Sequence, residues 1–530
     1  MTAASVALLA ACALMPAGEP IPFDRRPVPA ADPGSTLPEG WQHGAFMEIF
    51  VRAWRDSDGD GIGDLRGLTE SLPYLQELGV KGIWLMPITR SADHDHGYAV
   101  TDFRGIEPAY GTLADFDALI REAHARGIGV IMDYVINHAA REHPAFRLST
   151  ASTTDALRDW FIWQPEAPSG WDVWGKHPWY PAGGAFHYAT FGPHMPDFNL
   201  RSPRALAYHH DSLRFWLNRG LDGFRFDAVP HLIENSAKDW NDQPESHALM
   251  RDVRALMRDG YRQRWMVCEA TANPQRWAGA DSCGAAFAFG LEHQLIDAAR
   301  GKTEAIQRVA AYFTSAPPTM ATMLSNHDIF AGKRLRDQLG ADDAAYRLAA
   351  ATYLLLPGTP FIYYGEEIGM AGVDGLPGDA PLRTPMSWTA DPASAGGFTR
   401  PGVKPFRPAS DNAATHNVAA QRTDPASVLA HYKTLLALRN GLPSIAVGRY
   451  EAPQVAGQAM AFQRATDDEH TLVLINYGKA PATIRIDRLG ANARYASEYP
   501  AGGARTQADA DGRVHFALAP QSFRVLRRER

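Results

Sequence analysis

The stretch Asp222-Gly223-Phe224-Arg225-Phe226-Asp227-Ala228-Val229-Pro230-His231 decides how the chain is read. As a β-strand its side chains alternate, so Phe224 and Phe226 point one way while Arg225 and Asp227 point the other. One face is apolar and the other carries paired charge. A carboxylate beside a guanidinium stays ionised at neutral pH, which suits a nucleophile better than a proton donor. Such a pair can equally cap a strand end, so its meaning rests on the rest of the chain.

On either side of it, seven further short apolar runs read as strands: Ala45 to Val51, Gly82 to Met86, Ile128 to Tyr134, Trp265 to Glu269, Ala285 to Phe289, Thr322 to Ser325 and Phe361 to Tyr364. Amphipathic segments lie between them, among them Leu113 to Arg126, Arg204 to Arg219 and Ser246 to Arg262. Strand and helix alternating eight times predict an α/β fold, a (β/α)8 TIM barrel, over residues 41–138 and 204–447. The interval 139–203 is too long for a barrel loop and predicts an inserted subdomain B after the third strand. From Gly448 the pattern changes to short alternating runs, Thr471 to Asn476, Ala482 to Ile486, Arg513 to Leu518 and Ser522 to Leu526. These predict a C-terminal all-β domain over 448–530, an antiparallel β-sandwich.

The chain has 530 residues, 45% hydrophobic and 21% charged, with a formal net charge of −7. That is a globular balance, and the dispersed Lys and Arg give no footprint for nucleic acid. Met1 to Cys12 is a short apolar run ending in small residues and a Cys, with no Lys or Arg before it. It resembles a bacterial lipoprotein signal over residues 1–20, with Cys12 as the lipidated residue. The expectation is an exported protein, periplasmic, secreted or held at the outer membrane. Residues 21–40 would form a linker, with the Pro- and Ala-rich run from Pro16 to Glu39 a flexible tether. Cys268 and Cys283 are too few for a disulfide framework and are read as buried free thiols, with pairing as the alternative.

Polar residues recur where the proposed strands end. The third ends in Asp133-Tyr134-Val135-Ile136-Asn137-His138, the fourth at Asp227, the fifth at Glu269, and the seventh runs into Ser325-Asn326-His327-Asp328. Asp227, Glu269 and Asp328 would converge on one mouth of the barrel. Crowded carboxylates raise the pKa of at least one, leaving a proton donor beside an ionised neighbour, the equipment for splitting a glycosidic bond.

These four segments, in this order, resemble the signature regions of the α-amylase family of retaining glycoside hydrolases, and the likeness runs from about residue 45 to the end. By that resemblance Asp227 would be the nucleophile, Glu269 the general acid and base, and Asp328 a carboxylate gripping sugar hydroxyls. Arg225 would hold Asp227 ionised, Asp133 would organise the site, and His138 and His327 would bind the sugar. Tyr98, in Asp95-His96-Gly97-Tyr98, resembles the Tyr on which that sugar stacks, and Asp95 would join the substrate-binding set. No Cys or third His stands near His94 and His96, so zinc is not expected.

Asp56-Ser57-Asp58-Gly59-Asp60-Gly61-Ile62-Gly63-Asp64 sets oxygens at alternate positions around glycine turns, as a hard cation requires. Gly67 stands where an EF-hand would place its closing Glu. The run resembles the calcium loop of oligo-1,6-glucosidase-like members of the family. That implies one structural Ca²⁺ held by Asp56, Asp58, Asp60, Asp64 and the Ile62 carbonyl.

Met195-Pro196-Asp197-Phe198-Asn199 is similar to a segment of a subgroup intermediate between oligo-1,6-glucosidases and neopullulanases, several of them exported α-amylases. His231 would contact the leaving side of the substrate, yet Pro230 stands where many α-amylases carry Lys or Arg, and Ala228-Val229-Pro230 looks more like the trehalose synthase version. The expectation is a monomeric hydrolase of α-1,4-glucans or maltooligosaccharides. Exo-acting α-glucosidase or transglucosidase and a maltose isomerase of trehalose synthase type are the alternatives. A non-catalytic transporter partner of the same fold is the remote one, since such relatives typically lack the catalytic set.

Overall fold

The computed structural model describes residues 23–529. Eight parallel strands close a barrel: β1 Phe46–Ile49, β2 Gly82–Leu85, β3 Gly129–Tyr134, β4 Gly223–Phe226, β5 Trp265–Cys268, β6 Ala286–Phe287, β7 Met320–Thr322 and β8 Thr359–Tyr363. Each strand neighbours its predecessor in the chain, and β1 closes on β8. All eight overlap the runs expected from sequence. β7 ends at Thr322, so the segment carrying Ser325 to Asp328 is a turn above the strand.

In β4 the alternation holds. Phe224 and Phe226 point outward, packing on Tyr134 with ring centroids 5.5 and 5.9 Å away, within the cluster that joins strands to helices. Full burial of each such ring is worth about 1.5–3 kcal/mol. Arg225 points into the barrel, its side chain only 1% exposed. Gly223 starts the strand where a Cβ would stand 1.6 Å from the Trp265 carbonyl oxygen, so only glycine lets β4 lie this close to β5. Asp222, fully buried, anchors the start of the strand by accepting from the Val130 N–H at 2.8 Å and bonding His124 Nε2 at 2.7 Å. Of the two aspartates in the stretch, the first is architectural.

Helices Leu113–His124, Pro203–Leu217 and Pro244–Gly260 lie where expected. The first opens on a capping box: Asp115 N–H bonds Thr112 Oγ1 at 3.3 Å, and Thr112 N–H bonds Asp115 Oδ2 at 2.9 Å. The barrel interior has its own apolar cluster. Phe46 stacks on Phe361 at 4.9 Å and packs on Trp41 and Trp265 at 5.4 and 5.3 Å.

Between β3 and β4 lie helix Pro144–Ala151 and a three-stranded sheet of Trp163–Gln164, Ala185–Tyr188 and Trp179–Ala182. At the C-terminus six antiparallel strands form one sheet and Ala482–Ile486 pairs with Val514–Leu518 in another, with Ala461, Leu474, Ile484 and Phe516 packed in one core. Strands Arg449–Ala456, Ala459–Ala465 and Arg494–Tyr499 were not evident from sequence. Ala459–Ala465 is built from good helix formers, and pairing on both sides overrides that preference.

Two expectations are corrected. Cys268 and Cys283 are not free thiols; they form a disulfide closing a separation of 15 residues. The linker is not a flexible tether from Phe23 onward. Phe23 sets its ring edge against His143, Trp160 and Tyr208. Asn218 bonds both the Ala31 N–H and the Pro29 carbonyl, and Arg264 Nη2 donates to the Gly34 carbonyl at 2.8 Å. Irregular backbone rich in Pro stays ordered here because barrel side chains take up its polar groups. Cys12 and the proposed signal lie outside the described residues. No helix among the described residues is long and apolar enough to cross a membrane.

Candidate active site

The polar ends of the strands meet at the carboxyl mouth of the barrel, around Arg225. β3 and β4 set Asp133 directly opposite Arg225 in register. Arg225 Nη1 donates to Asp133 Oδ1 at 2.8 Å and to Asp227 Oδ1 at 2.7 Å, and Nη2 donates to Glu269 Oε2 at 2.8 Å. One buried guanidinium thus spans three carboxyl groups. The chain then turns sharply through Ala228, at φ 48°, whose N–H donates to Glu269 Oε2 at 3.0 Å. A non-glycine residue held in the left-handed region is the kind of local strain found at functional sites.

Burial dominates the protonation of these groups. It pushes Glu269 up to about 7, against Arg225 and with the help of Asp227 and Asp328. It raises Asp227 to about 6, opposed by Arg225 and reinforced by Asp133. Asp133 also rises, to about 6, because burial outweighs Arg225. Asp328 goes the other way: burial would raise it, but His327 and Arg383 hold it below the usual carboxylate range. Arg383 Nη2 donates to Asp328 Oδ1 at 2.7 Å.

His327 links the two sides. Its Nδ1 lies 2.5 Å from Glu48 Oε1, and its Nε2 lies 2.6 Å from the Tyr98 hydroxyl and 3.1 Å from Asp328 Oδ2. Burial opposes its charge, yet Asp328 and Glu48 hold it up at about 10, so it is an imidazolium at neutral pH. Tyr98 accepts from it, donates to Asp133 Oδ2 at 3.0 Å, and stacks on its ring at 13°. His138 and His231 are the opposite case, pushed down by burial to about 3 and about 4. They are neutral, able both to give and to accept a hydrogen bond.

A cavity of about 540 Å³ opens over this set, lined by Tyr98, His138, Asp227, His231, Glu269 and Asp328, with Arg383, Asp379, Trp174, Phe191 and Phe330 completing its walls. Asp133, Arg225 and His327 lie beneath. Asp95 is not among the lining residues; its carboxylate pairs with Arg407. The Met195 to Asn199 motif braces the site. Asp197 Oδ2 accepts from Asn137 Nδ2 at 3.1 Å and from Thr190 Oγ1 at 2.7 Å, and Phe198 N–H bonds the Asn137 carbonyl at 2.9 Å. That steadies the turn carrying His138.

Sequence reading missed Glu48, Arg383, Asp379 and Trp174. Glu48 was within reach, being a lone acid in the apolar run Phe46 to Ile49, the same signal that marked Arg225. Arg383 and Asp379 lie in irregular backbone after β8 and Trp174 in the inserted segment, where periodicity gives no cue.

In the acidic loop, carboxylate oxygens of Asp56, Asp58 and Asp64 come within 4.8 Å of one another. Asp60 is outside that cluster, and its Oδ1 accepts from the Ile62 N–H at 2.8 Å. Asp56 also takes the Gly59 and Gly61 N–H groups at 2.6 and 2.8 Å, and Asp64 takes Gly67 N–H at 2.7 Å. Three converging hard oxygens fit a divalent cation such as Ca²⁺.

A closed parallel barrel with carboxyl groups crowded at its carboxyl mouth is an architecture that glycoside hydrolases, among other enzymes, use. Residues 48–448 match the family model described as alpha amylase, catalytic domain, and the chain belongs to the α-amylase family. It is 33% identical over 510 residues to the trehalose synthase/amylase TreS of Mycobacterium tuberculosis, covering 85% of this chain and 84% of the relative. It is 32% identical over 459 residues to alpha-amylase 3 of Dictyoglomus thermophilum, covering 85% and 88%. Among solved structures it matches an alpha-amylase from H. orenii with a TM-score of 0.80 and 32% identity, covering 92% of this chain and 100% of the other.

Proposed function

We propose that this chain hydrolyses α-1,4-glucosidic bonds in starch-derived glucans or maltooligosaccharides with retention. The observation that carries this reading is the single guanidinium of Arg225 bonded to both Asp227 and Glu269, of which Glu269 has the higher pKa. Between about pH 6 and 7 the first is half ionised or more and the second keeps half of its proton or more, an order that favours Asp227 as nucleophile and Glu269 as acid. Two carboxyl groups held on neighbouring nitrogens of one guanidinium lie close together, which favours retention, whose two carboxyl groups stand about 5 to 5.5 Å apart, over inversion, which needs a wider gap. Asp227 attacks the anomeric carbon while Glu269 protonates the departing oxygen. Glu269, now a carboxylate, takes a proton from water as the glycosyl ester breaks. Asp328, held ionised, accepts from sugar hydroxyls, and Tyr98 offers its ring face.

Digestion of a blocked maltoheptaoside tests this: internal cleavage to α-configured products is expected. No cleavage, with glucose released from maltose, would replace the endo reading by exo-glucosidase action. A second reading, isomerisation of maltose to trehalose, has specific support in Ala228-Val229-Pro230 and in the name borne by the mycobacterial relative. Product analysis across maltose, maltoheptaose, pullulan and sucrose separates the three.

Ca²⁺ at Asp56, Asp58 and Asp64 belongs to the same proposal, with the metal tying the loop after β1. Chelation should lower the melting temperature, and Asp58→Asn should remove that sensitivity. Export is also proposed. The Cys268–Cys283 disulfide supports it, since such bonds persist in oxidising compartments.

A further inference from the structure

The cavity has two unlike walls. Around Asp227 and Asp328, Tyr98, His138 and Arg383 face a sugar that would be gripped through its hydroxyls, with Ile329 and the Phe330 ring at the rim beside Asp328. The wall beyond Glu269 is aromatic. The turn carrying His231 is strapped to Glu269 on that side: Val229 N–H donates to the Glu269 carbonyl at 3.2 Å and Ala228 N–H to its Oε2 at 3.0 Å. His231 lies parallel to Trp240 at 5.5 Å and 11°, and Trp174 sets its ring edge-to-face on both, at 5.1 and 5.4 Å.

Trp174 is unusual in two independent ways. At 58% exposure it is the most exposed of the large apolar side chains among the described residues, and it stands over the cavity. It is also held at φ 51°, followed by Gly175 at 78°, between Val173 and Lys176, which exchange both backbone hydrogen bonds at 2.8 and 3.0 Å. This is a two-residue hairpin turn whose first central position ordinarily takes Asn, Asp or Gly. A bulky residue there costs conformational energy, and its ring, packed by its edge on His231 and Trp240, still keeps more than half of its surface open to the cavity and solvent.

From these observations we infer that Trp174, backed by His231 and Trp240, is the platform for the second sugar ring, the one that leaves and the one that accepts. The inference rests on the assignment of Asp227 and Glu269 above. The sugar ring on Glu269's side of the bond is the one that carries the departing oxygen, because the general acid must reach that oxygen to protonate it. A pyranose ring has an apolar face of C–H groups that matches an exposed indole. Once Asp227 carries the glycosyl group, water and a sugar hydroxyl compete for the anomeric carbon. Attack by either breaks the ester bond, returns the electron pair to Asp227, forms the new C–O bond and passes the attacking proton to Glu269. A platform for a ring favours the sugar over water, so Trp174 sets the ratio of transfer to hydrolysis.

The experiment uses α-glucosyl fluoride as donor, whose leaving group needs no ring platform, with maltose as acceptor. Transfer product and free glucose are counted in the same reaction, so a change in total activity does not mimic a change in ratio. Trp174→Ala should lower the transfer-to-hydrolysis ratio by about tenfold, the loss expected on truncating an aromatic anchor, and raise the KM for acceptor. Trp174→Phe should restore the ratio to within about threefold of the parent, since it returns an aromatic face. A ratio in Trp174→Ala within about twofold of the parent, well inside the loss an anchor implies, overturns the inference while leaving the catalytic assignment standing. Failure of the parent protein to release fluoride overturns that assignment, and the inference with it.

Discussion

The two ends of the barrel are built from the same eight strands and have opposite contents. Toward the amino ends the interior is filled by Phe46, Phe361, Trp265 and Trp41, ring against ring. Toward the carboxyl ends it holds Glu48, Asp133, Arg225 and His327, all buried. Trp84 divides them. It packs on Phe361 at 5.9 Å below, while the Arg225 guanidinium lies 5.1 Å from its ring and His327 5.6 Å above. A strand can supply both contents because successive inward positions are independent: Phe46 and Glu48 of β1 sit two residues apart. The aromatic end serves stability alone. The charged end is costly to bury, and its cost is offset only while every partner is present.

Replacing Arg225 should give the largest effect. Arg225→Met leaves three buried carboxyl groups without their shared cation, and is expected to destabilise by about 3–5 kcal/mol in urea unfolding. Activity should fall by at least 10²–10³-fold, on the order of losing a fixed electrostatic partner. Phe46→Ala, at the other end, should cost a similar 3–5 kcal/mol through the cavity it leaves. In contrast, kcat measured on the folded protein should change by less than about threefold, because Phe46 touches no group of the site. Equal kinetic losses in the two variants would erase the functional contrast between the ends.

Smaller effects sharpen it. Reducing the Cys268–Cys283 bond, which closes a separation of 15 residues beside Glu269, should cost about 3 kcal/mol of stability by the loop-entropy relation. The pH profile of kcat/KM should be bell-shaped. With the proposed roles, Asp227 must be ionised, so rate should be lost as pH falls below about 6, and Glu269 must be protonated, so rate should be lost as pH rises above about 7. The two limbs belong to the pair as coupled groups. Phe46→Ala should leave both limbs in place, and Arg225→Met should move them.

The same contrast explains what could be read from sequence. A charge inside an apolar run stands out, so Arg225 and Asp227 led to the barrel and to three of the carboxyl groups at its mouth. Glu48 carried that signal and was passed over because no partner lay near it in the chain; His327 is 279 residues away. The disulfide was misread for a related reason, since two cysteines alone do not reveal that β5 and the segment entering β6 bring them together. The ordered linker was hidden in a composition that usually means flexibility, and only the barrel side chains that receive it decide otherwise. Trp174 had no periodic frame at all. Its position is set by a tight turn, and turn geometry with a residue that disfavours it is invisible to pattern reading.

In the proposed mechanism Asp227 forms the covalent bond to the sugar. The most direct measurement is to incubate the protein with 5-fluoro-α-glucosyl fluoride, which slows breakdown of the glycosyl ester, and to locate the adduct by peptide mass spectrometry. One glycosyl group per chain on Asp227 is expected. An adduct on Glu269 or Asp328, or steady turnover of the reagent to β-configured product with no adduct, would rule Asp227 out as the nucleophile.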